Sequence, residues 1–250
     1  MSEQHRIESP QNRTFRDFRD LLQGDGVRKH GRALVAGERL VTETLARRPE
    51  RCRAWITGEP GDAPPGEIPW FRLAGPLFRE LDLFGTRRPL LVIDAPELPA
   101  WTPEDGFPEG VTLLLPFQDP ENVGAAIRSA VAFGASLVVL LRESAHPYHP
   151  KSLRASAGAL LAAPLRRGPG LGDLRPSKDL IALSSIGRDI ARERFPERFG
   201  LVAGQEGPGL PGIWRDHAVA VPISEEVESL NAAAAIAVAL YAWSRSRVTG

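Results

Sequence analysis

The sequence predicts an α/β chain of two unequal units, a small α/β unit followed by a larger one built on a parallel sheet. Three observations carry this reading. Beyond residue 111, uninterrupted apolar runs (VTLLLPF, SLVVLL, DLIALSSI, RFGLVAG and HAVAVPI) alternate with helical segments, the pattern of parallel strands covered on both faces. The first 95 residues alternate strand-like and helix-like segments on a smaller scale. Between them PELPAWTPEDGFPEG, residues 96–110, carries four prolines and cannot continue a helix, so it divides a unit at 1–100 from one at 106–250.

In order along the chain, a helix is expected over 14–23, then a basic connection, GDGVRKHGR. ALVAGERLVTETLARR reads as a short strand, a turn at Gly37 and an amphipathic helix. CRAWITG at 52–58 and PLLVIDA at 89–95 read as strands, with the surface loop GEPGDAPPGEIP and a helix near 76–84 between them. In the second unit helices are expected at 122–133, 152–162 and 229–244, with a short one at 190–195.

Composition bounds the function. The 250 residues are 42% hydrophobic, enough for a sizeable core. Lys plus Arg and Asp plus Glu both number 31, and the resulting neutrality argues against a mainly electrostatic, non-specific nucleic-acid binder while leaving room for a local basic patch. Cys52 is the one cysteine, so no internal disulfide forms, and no histidine has a metal-like pairing; no metal is expected. The N-terminal stretch MSEQHRIESPQNR is polar, and the longest apolar run, residues 232–243, is too short to span a bilayer. These features lead us to expect a soluble, cytoplasmic protein with no membrane partner.

Parallel sheets bind ligands beyond the carboxyl ends of their strands, and three such loops carry unexpected residues. In the first, Asn122, Gly124 and Arg128 open a helix that Asp119 or Asn122 can cap, with Arg128 beside an apolar stripe. In the second, Leu201-Val202-Ala203-Gly204 runs into Gln205-Glu206-Gly207-Pro208-Gly209-Leu210, which matches neither glycine-rich nucleotide fingerprint. In the third, Val221-Pro222-Ile223-Ser224 precedes Glu228-Ser229-Leu230-Asn231 and an Ala-rich helix. Ser229 is a good N-cap candidate, whereas Asn231, just inside the helix, adds little that a cap needs.

Together N-V-G-A-A-I-R-S-A-x-x-F-G-A, G-Q-E-G-P-G-L and V-P-I-S…E-S-L-N resemble the three ordered motifs of the SpoU (TrmH-type) RNA methyltransferases of the SPOUT superfamily, and R-A-S-A-G-A at 154–159 resembles the family's intermediate segment. The resemblance covers roughly 111–245. Ser9-Pro10-Gln11-Asn12 and Ala36-Gly37-Glu38-Arg39 resemble, more loosely, the ribosomal-protein-like RNA-binding domain fused ahead of many such enzymes. The resemblance implies a deep trefoil knot in the C-terminal domain, an exception to the usual absence of threading. It also implies a homodimer, RNA as partner (ribosomal or transfer RNA, with the N-terminal domain favouring ribosomal), and S-adenosylmethionine held by backbone near Leu201, Val202, Ala203, Gly204, Val221, Pro222, Ile223, Ser229 and Leu230.

The implied reaction methylates a ribose 2′-hydroxyl. By the family pattern Arg128 is the central catalytic group, with Asn122, Glu206, Ser229 and Asn231 around it. A guanidinium does not readily give up its proton, so Arg128 fits better as a phosphate clamp or as a stabiliser of alkoxide charge, with Glu206 orienting it. RNA contacts are expected in the Arg-rich first unit, from Arg13, Arg28, Lys29, Arg32 and Arg39. Two other readings compete: a non-catalytic RNA-binding or ribosome-assembly protein that keeps the fold, and a nucleotide-binding oxidoreductase, which the missing glycine fingerprint disfavours.

Overall fold

The computed structural model describes residues 4–247, so Met1–Glu3 of the polar N-terminal stretch lie outside it. The chain divides into two compact units, one running to Glu97 and joined by Tyr148–Gly158, the other holding Leu98–Pro147 and the chain from Ala159 on.

The first unit contains β1 (Gln4–Ile7), α1 (Arg13–Asp20), α2 (Gly24–His30), β2 (Arg32–Val35), α3 (Glu38–Arg47), β3 (Cys52–Gly58), β4 (Trp70–Leu73), α4 (Gly75–Leu81) and β5 (Leu90–Asp94). Its sheet has the order β1-β4-β3-β5-β2, parallel from β1 to β3 and antiparallel at β5 and β2. Asn12 caps α1 by accepting from the Phe15 N–H at 3.2 Å, and Phe15 and Phe18 enter a core with Leu34, Ile56, Leu73, Leu81 and Val92. The expected connection GDGVRKHGR is instead largely the helix α2, and the expected helix ends early, at Asp20. Its glycines suggest a loop, but Asp25 in the first turn, Arg28, Lys29 and His30 in the last, and Gly31 in the left-handed conformation beyond it are the charge and capping signals of a short helix. Two strands of this unit, β1 and β4, are not evident in the sequence pattern: QHRI and WFRL are four residues each and carry no long apolar run.

The second unit contains β6 (Gly110–Leu115), α5 (Pro120–Ala132), β7 (Leu137–Leu140), β8 (Leu165–Arg167), β9 (Leu180–Asp189), β10 (Arg198–Ala203), β11 (Ala218–Ala220) and α7 (Ala232–Ser246); α6 (Pro150–Ala155), which lies between β7 and β8 in sequence, belongs to the first unit by its contacts. All six strands are parallel, in the order β11-β9-β10-β6-β7-β8. Every residue of β6 and β7 is buried, which accounts for their uninterrupted apolar sequences. The two units part between Glu97 and Leu98, within the proline-rich stretch; beyond that point Trp101 is buried with Leu114, Val139 and Trp214, and its indole N–H donates to the Gly106 carbonyl at 3.1 Å. One expectation needs correction. R-A-S-A-G-A does not continue one helix over 152–162, because Ala157 and Gly158 take positive φ and break it.

A long excursion interrupts the pairing of β9 with β11. Ala218 pairs with Ala182, yet Val219 pairs with Arg188. Gly187 sits where the strands close again, and a Cβ there would stand 2.6 Å from the backbone carbon and oxygen of Ala218. Gly187→Ala should therefore open the β9–β11 pairing and lower stability by about 1–3 kcal/mol, the usual range for overpacking. A denaturation midpoint equal to that of the native chain would show that β11 moves aside freely.

Candidate functional site

The unusual loops meet beyond the carboxyl ends of β10 and β11, beside the middle of β9, where a cleft of about 410 Å³ opens. The middle of β9 gives it Leu183, Ser184 and Ser185; the loop after β10 gives Gly204, Gln205, Glu206 and Leu210; the segment after β11 gives Val221, Ile223, Ser229 and Leu230; α5 and α7 give Asn122 and Ala235. The loop after β10 is a tight one, closed by reciprocal backbone hydrogen bonds of 2.9 Å between Gln205 and Gly209. Gly204 lets its two ends meet, since a Cβ there would lie 3.0 Å from the Gly209 backbone.

Glu206 ties this loop to the start of α5. One carboxylate oxygen accepts from the backbone N–H groups of Gln118 and Asp119, each at 2.9 Å, and the other accepts from Asn122 Nδ2. The Asn122 carbonyl oxygen in turn accepts from Asn231 Nδ2 at 3.0 Å. Asn231 Oδ1 accepts from the N–H groups of Ala233 and Ala234, at 3.0 and 3.1 Å. One continuous relay thus joins all three motifs.

The relay corrects two expectations. Asn231 is the N-cap of α7 and Ser229 is not, because the helix begins at Ala232, three residues later than the expected start at 229. Glu206 does not hold Arg128. Among the described residues Arg128 is exposed, makes no hydrogen bond or ion pair, and does not line the cleft. Asp119, the other cap candidate of α5, does cap it, accepting from the Glu121 N–H at 2.8 Å.

Of the remaining expected residues, Ala203, Gly204, Val221, Ile223, Ser229 and Leu230 line the cleft, while Leu201 and Val202 are buried in β10 and Pro222 does not line it. Leu183, Ser184 and Ser185 join the site without having been expected there, although two serines following the apolar half of β9 are a visible signal. In the first unit all five basic residues named from the sequence are exposed, but Arg28 pairs with Asp25, Lys29 with Asp20 and Arg39 with Glu43; Arg13 and Arg32 have no ion pair among the described residues. Asp17, Asp20 and His30 converge closely enough to suggest a cation site. Asp20 already accepts from His30 at 3.0 Å and from the Lys29 ammonium at 2.9 Å, and these bonds hold its carboxyl below the usual range.

The sequence profile described as the SpoU rRNA methylase family matches residues 111–241, the segment that builds the sheet, the relay and the cleft. The chain belongs to this family. A Syntrophobacter fumaroxidans protein named ribosomal RNA small subunit methyltransferase G 2 is 56% identical over 245 residues, 96% of this chain and 49% of that protein. A Streptomyces viridochromogenes protein named 23S rRNA (uridine(2479)-2′-O)-methyltransferase is 34% identical over 145 residues, 52% of this chain and 50% of that one. The chain thus spans about half the length of these two relatives. Among solved structures, the SpoU methyltransferase AviRb from Streptomyces viridochromogenes, in complex with AdoMet, aligns with a TM-score of 0.79 at 25% identity, covering 96% of this chain and all of that one.

The two cap candidates separate in an experiment. Asn231→Ala should cost about 1 kcal/mol of stability, the usual loss of an N-cap. Ser229→Ala should stay within about 0.5 kcal/mol, as surface changes do. Chemical denaturation of both variants reads the difference, and equal losses would mean that the α7 cap is shared.

Proposed function

We propose that the chain is an S-adenosylmethionine-dependent RNA methyltransferase that modifies a ribose 2′-hydroxyl, with ribosomal RNA as its substrate class. The observation that carries this is the convergence of the three motif loops, hydrogen-bonded to one another, around a single cleft at the strand ends. The cleft fits the cofactor in kind. Its volume of about 410 Å³ lies in the range of small-molecule sites. Leu183, Leu210, Val221 and Ile223 offer apolar surface to a purine, and Ser184, Ser229, Asn122 and Asn231 offer polar groups. Support for ribose and for ribosomal RNA comes from the name of the 34% identical relative. The small-subunit name belongs to a protein twice as long, so it also describes residues this chain does not contain.

S-adenosylmethionine, held by the cleft residues, would supply an activated methyl group; its transfer to the ribose oxygen would leave S-adenosylhomocysteine, and the hydroxyl proton would pass to a neighbouring phosphate or to water. No metal is needed for this transfer. What the protein contributes is alignment and charge, and alignment alone can remove about 7–11 kcal/mol of barrier in ideal cases. Arg128, cationic and without a protein partner among the described residues, is free to clamp a phosphate beside the target ribose or to stabilise the developing alkoxide. Asn122, Ser229 and Asn231 hold ribose or cofactor.

The same reading places RNA on the first unit, the trefoil knot in the cleft-forming loops and the enzyme in the cytoplasm as a homodimer. The out-of-sequence strand order around β10 is consistent with the knot, which pulling on the termini of single molecules would reveal as a missing length of extended chain. The exposed apolar residues Val131 on α5 and Val238 and Tyr241 on α7 are what a subunit interface would cover, and sedimentation analysis measures the association.

Arg128→Ala should lower kcat by about 10²–10³, the typical loss for a charge-stabilising group, while S-adenosylmethionine affinity by calorimetry stays unchanged. Full activity in this variant would remove Arg128 from the site. Removing Arg13 or Arg32 should reduce the salt slope of RNA binding by roughly 0.7–0.9 each if each meets a phosphate. An unaltered slope in both variants would move the RNA path off this face.

A further inference from the structure

The relay has a direction, and we infer that Glu206 is the positioning residue that sets it. This inference rests on the methyltransferase reading for its consequence in the reaction, but not for the relay itself. At one end stands a carboxylate, which only accepts: its oxygens take the N–H groups of Gln118 and Asp119 and the amide of Asn122. At the other end stand the N–H groups of Ala233 and Ala234, which only donate. Between them are two side-chain amides, each of which has a donor end and an acceptor end. The carboxylate obliges Asn122 to present Nδ2 to Glu206, so Oδ1 is left for Asn231. The helix obliges Asn231 to present Oδ1 to α7, so Nδ2 is left for Asn122. The two requirements agree, and each amide has one orientation.

The consequence concerns what the cleft can do. Asn122 and Asn231 both line it, and each keeps one amide N–H that the relay does not use. The Asn231 oxygen is filled by two helix N–H groups. The pair therefore offers donors in the cleft. Donors of this kind stabilise negative charge on an oxygen, and they cannot take a proton from a hydroxyl. The relay thus assigns Asn122 and Asn231 to binding an oxygen of the substrate or cofactor, and it assigns Glu206 to holding them in that sense. Glu206, with its oxygens engaged by three donors, is not the proton acceptor.

Changing the chemistry at each end tests this. Glu206→Gln places an amide N–H against Asn122 Nδ2, donor against donor. Asn122→Asp places a carboxylate against the Glu206 carboxylate. The double variant E206Q/N122D rebuilds every bond in a new order. The amide oxygen introduced at position 206 accepts from Gln118 and Asp119, and the amide nitrogen beside it donates to the carboxylate introduced at position 122. That carboxylate also accepts from Asn231. Methyl transfer to ribosomal RNA, S-adenosylmethionine affinity and hydrogen exchange of the Ala233 and Ala234 amides are measured for all three.

Each single variant is expected to lose at least tenfold in kcat and to exchange those amides faster. The double variant is expected to restore slow exchange but to leave kcat low, because the carboxylate introduced at position 122 has no N–H to offer the cleft. A double variant whose Ala233 and Ala234 amides exchange as fast as in the worse single, a double variant with native kcat, or an E206Q variant with native kcat and exchange, overturns the inference. If the native chain transfers no methyl group, the enzymatic reading fails alone, and exchange at Ala233 and Ala234 still decides the relay. A variant whose exchange is fast throughout the chain is unfolded, and Asn122→Ser, which loses the bridge without adding a charge, then takes its place under the same criteria.

Discussion

The site depends on one carboxylate. Glu206 reaches back across 84 to 88 residues of sequence to bind the backbone and side chain at the start of α5, and Asn122 and Asn231 are 109 residues apart. Closing loops of that length has an entropic cost that grows only slowly with length, so it is met by the folding of the whole sheet rather than by any one of these bonds. The order β9-β10-β6 puts the carboxyl ends of three strands side by side although they are distant in sequence. Only then can a glutamate after β10 meet an asparagine after β6. The hydrogen bonds fix the orientation of groups that the sheet has already brought together.

The neighbouring sequence serves that meeting. The loop after β10 must carry Glu206 out of the strand and return at once, and the close approach of Gly204 to Gly209 makes the return possible. Helix α7 packs on α5, with Ala233, Ile236, Ala239, Leu240 and Trp243 buried, and the small alanines bring its first turn within reach of the relay. Asn231 then serves two purposes with one side chain: its oxygen satisfies the free N–H groups of the helix, and its nitrogen reaches Asn122. A serine at the same place could cap the helix but could not extend to α5.

Much of this is legible in the sequence, for reasons that differ by element. The buried strands β6, β7 and β10 are legible because burial on both faces leaves a continuous apolar run, which is hard to mistake. CRAWITG is legible to the residue as β3. The short edge strands β1 and β8 are not, because a strand with one free edge and few residues needs no apolar run. Helix α2 is hidden by its glycines. Most cleft-lining residues fall within the three motifs, whereas Leu183, Ser184 and Ser185 lie outside them, and the partners of the motif residues cannot be read from sequence. Hydrogen bonds between side chains so far apart in sequence are set by topology, so the expectation that Glu206 orients Arg128, reasonable from charge alone, yields to the nearer Gln118, Asp119 and Asn122. The same limit hides the capping role of Asn231.

The formal neutrality of the chain takes on a different meaning once the pairs are located. Arg28, Lys29 and Arg39, three of the basic residues that make the first unit look like an RNA surface, are matched by Asp25, Asp20 and Glu43 on the same surface. Such exposed pairs contribute little to stability, and a phosphate can displace the acid at small cost. They also cancel one another at a distance, so they attract RNA weakly from afar. Charge that acts beyond contact must come from cations without an acid beside them, and Arg128, exposed on α5 outside the cleft, is such a residue among the described residues. On the proposed function, selectivity would rest on contacts made by the oriented amides in the cleft and by Arg128 outside it. A neutral protein can achieve this as well as a basic one, with less non-specific binding to every other nucleic acid in the cell.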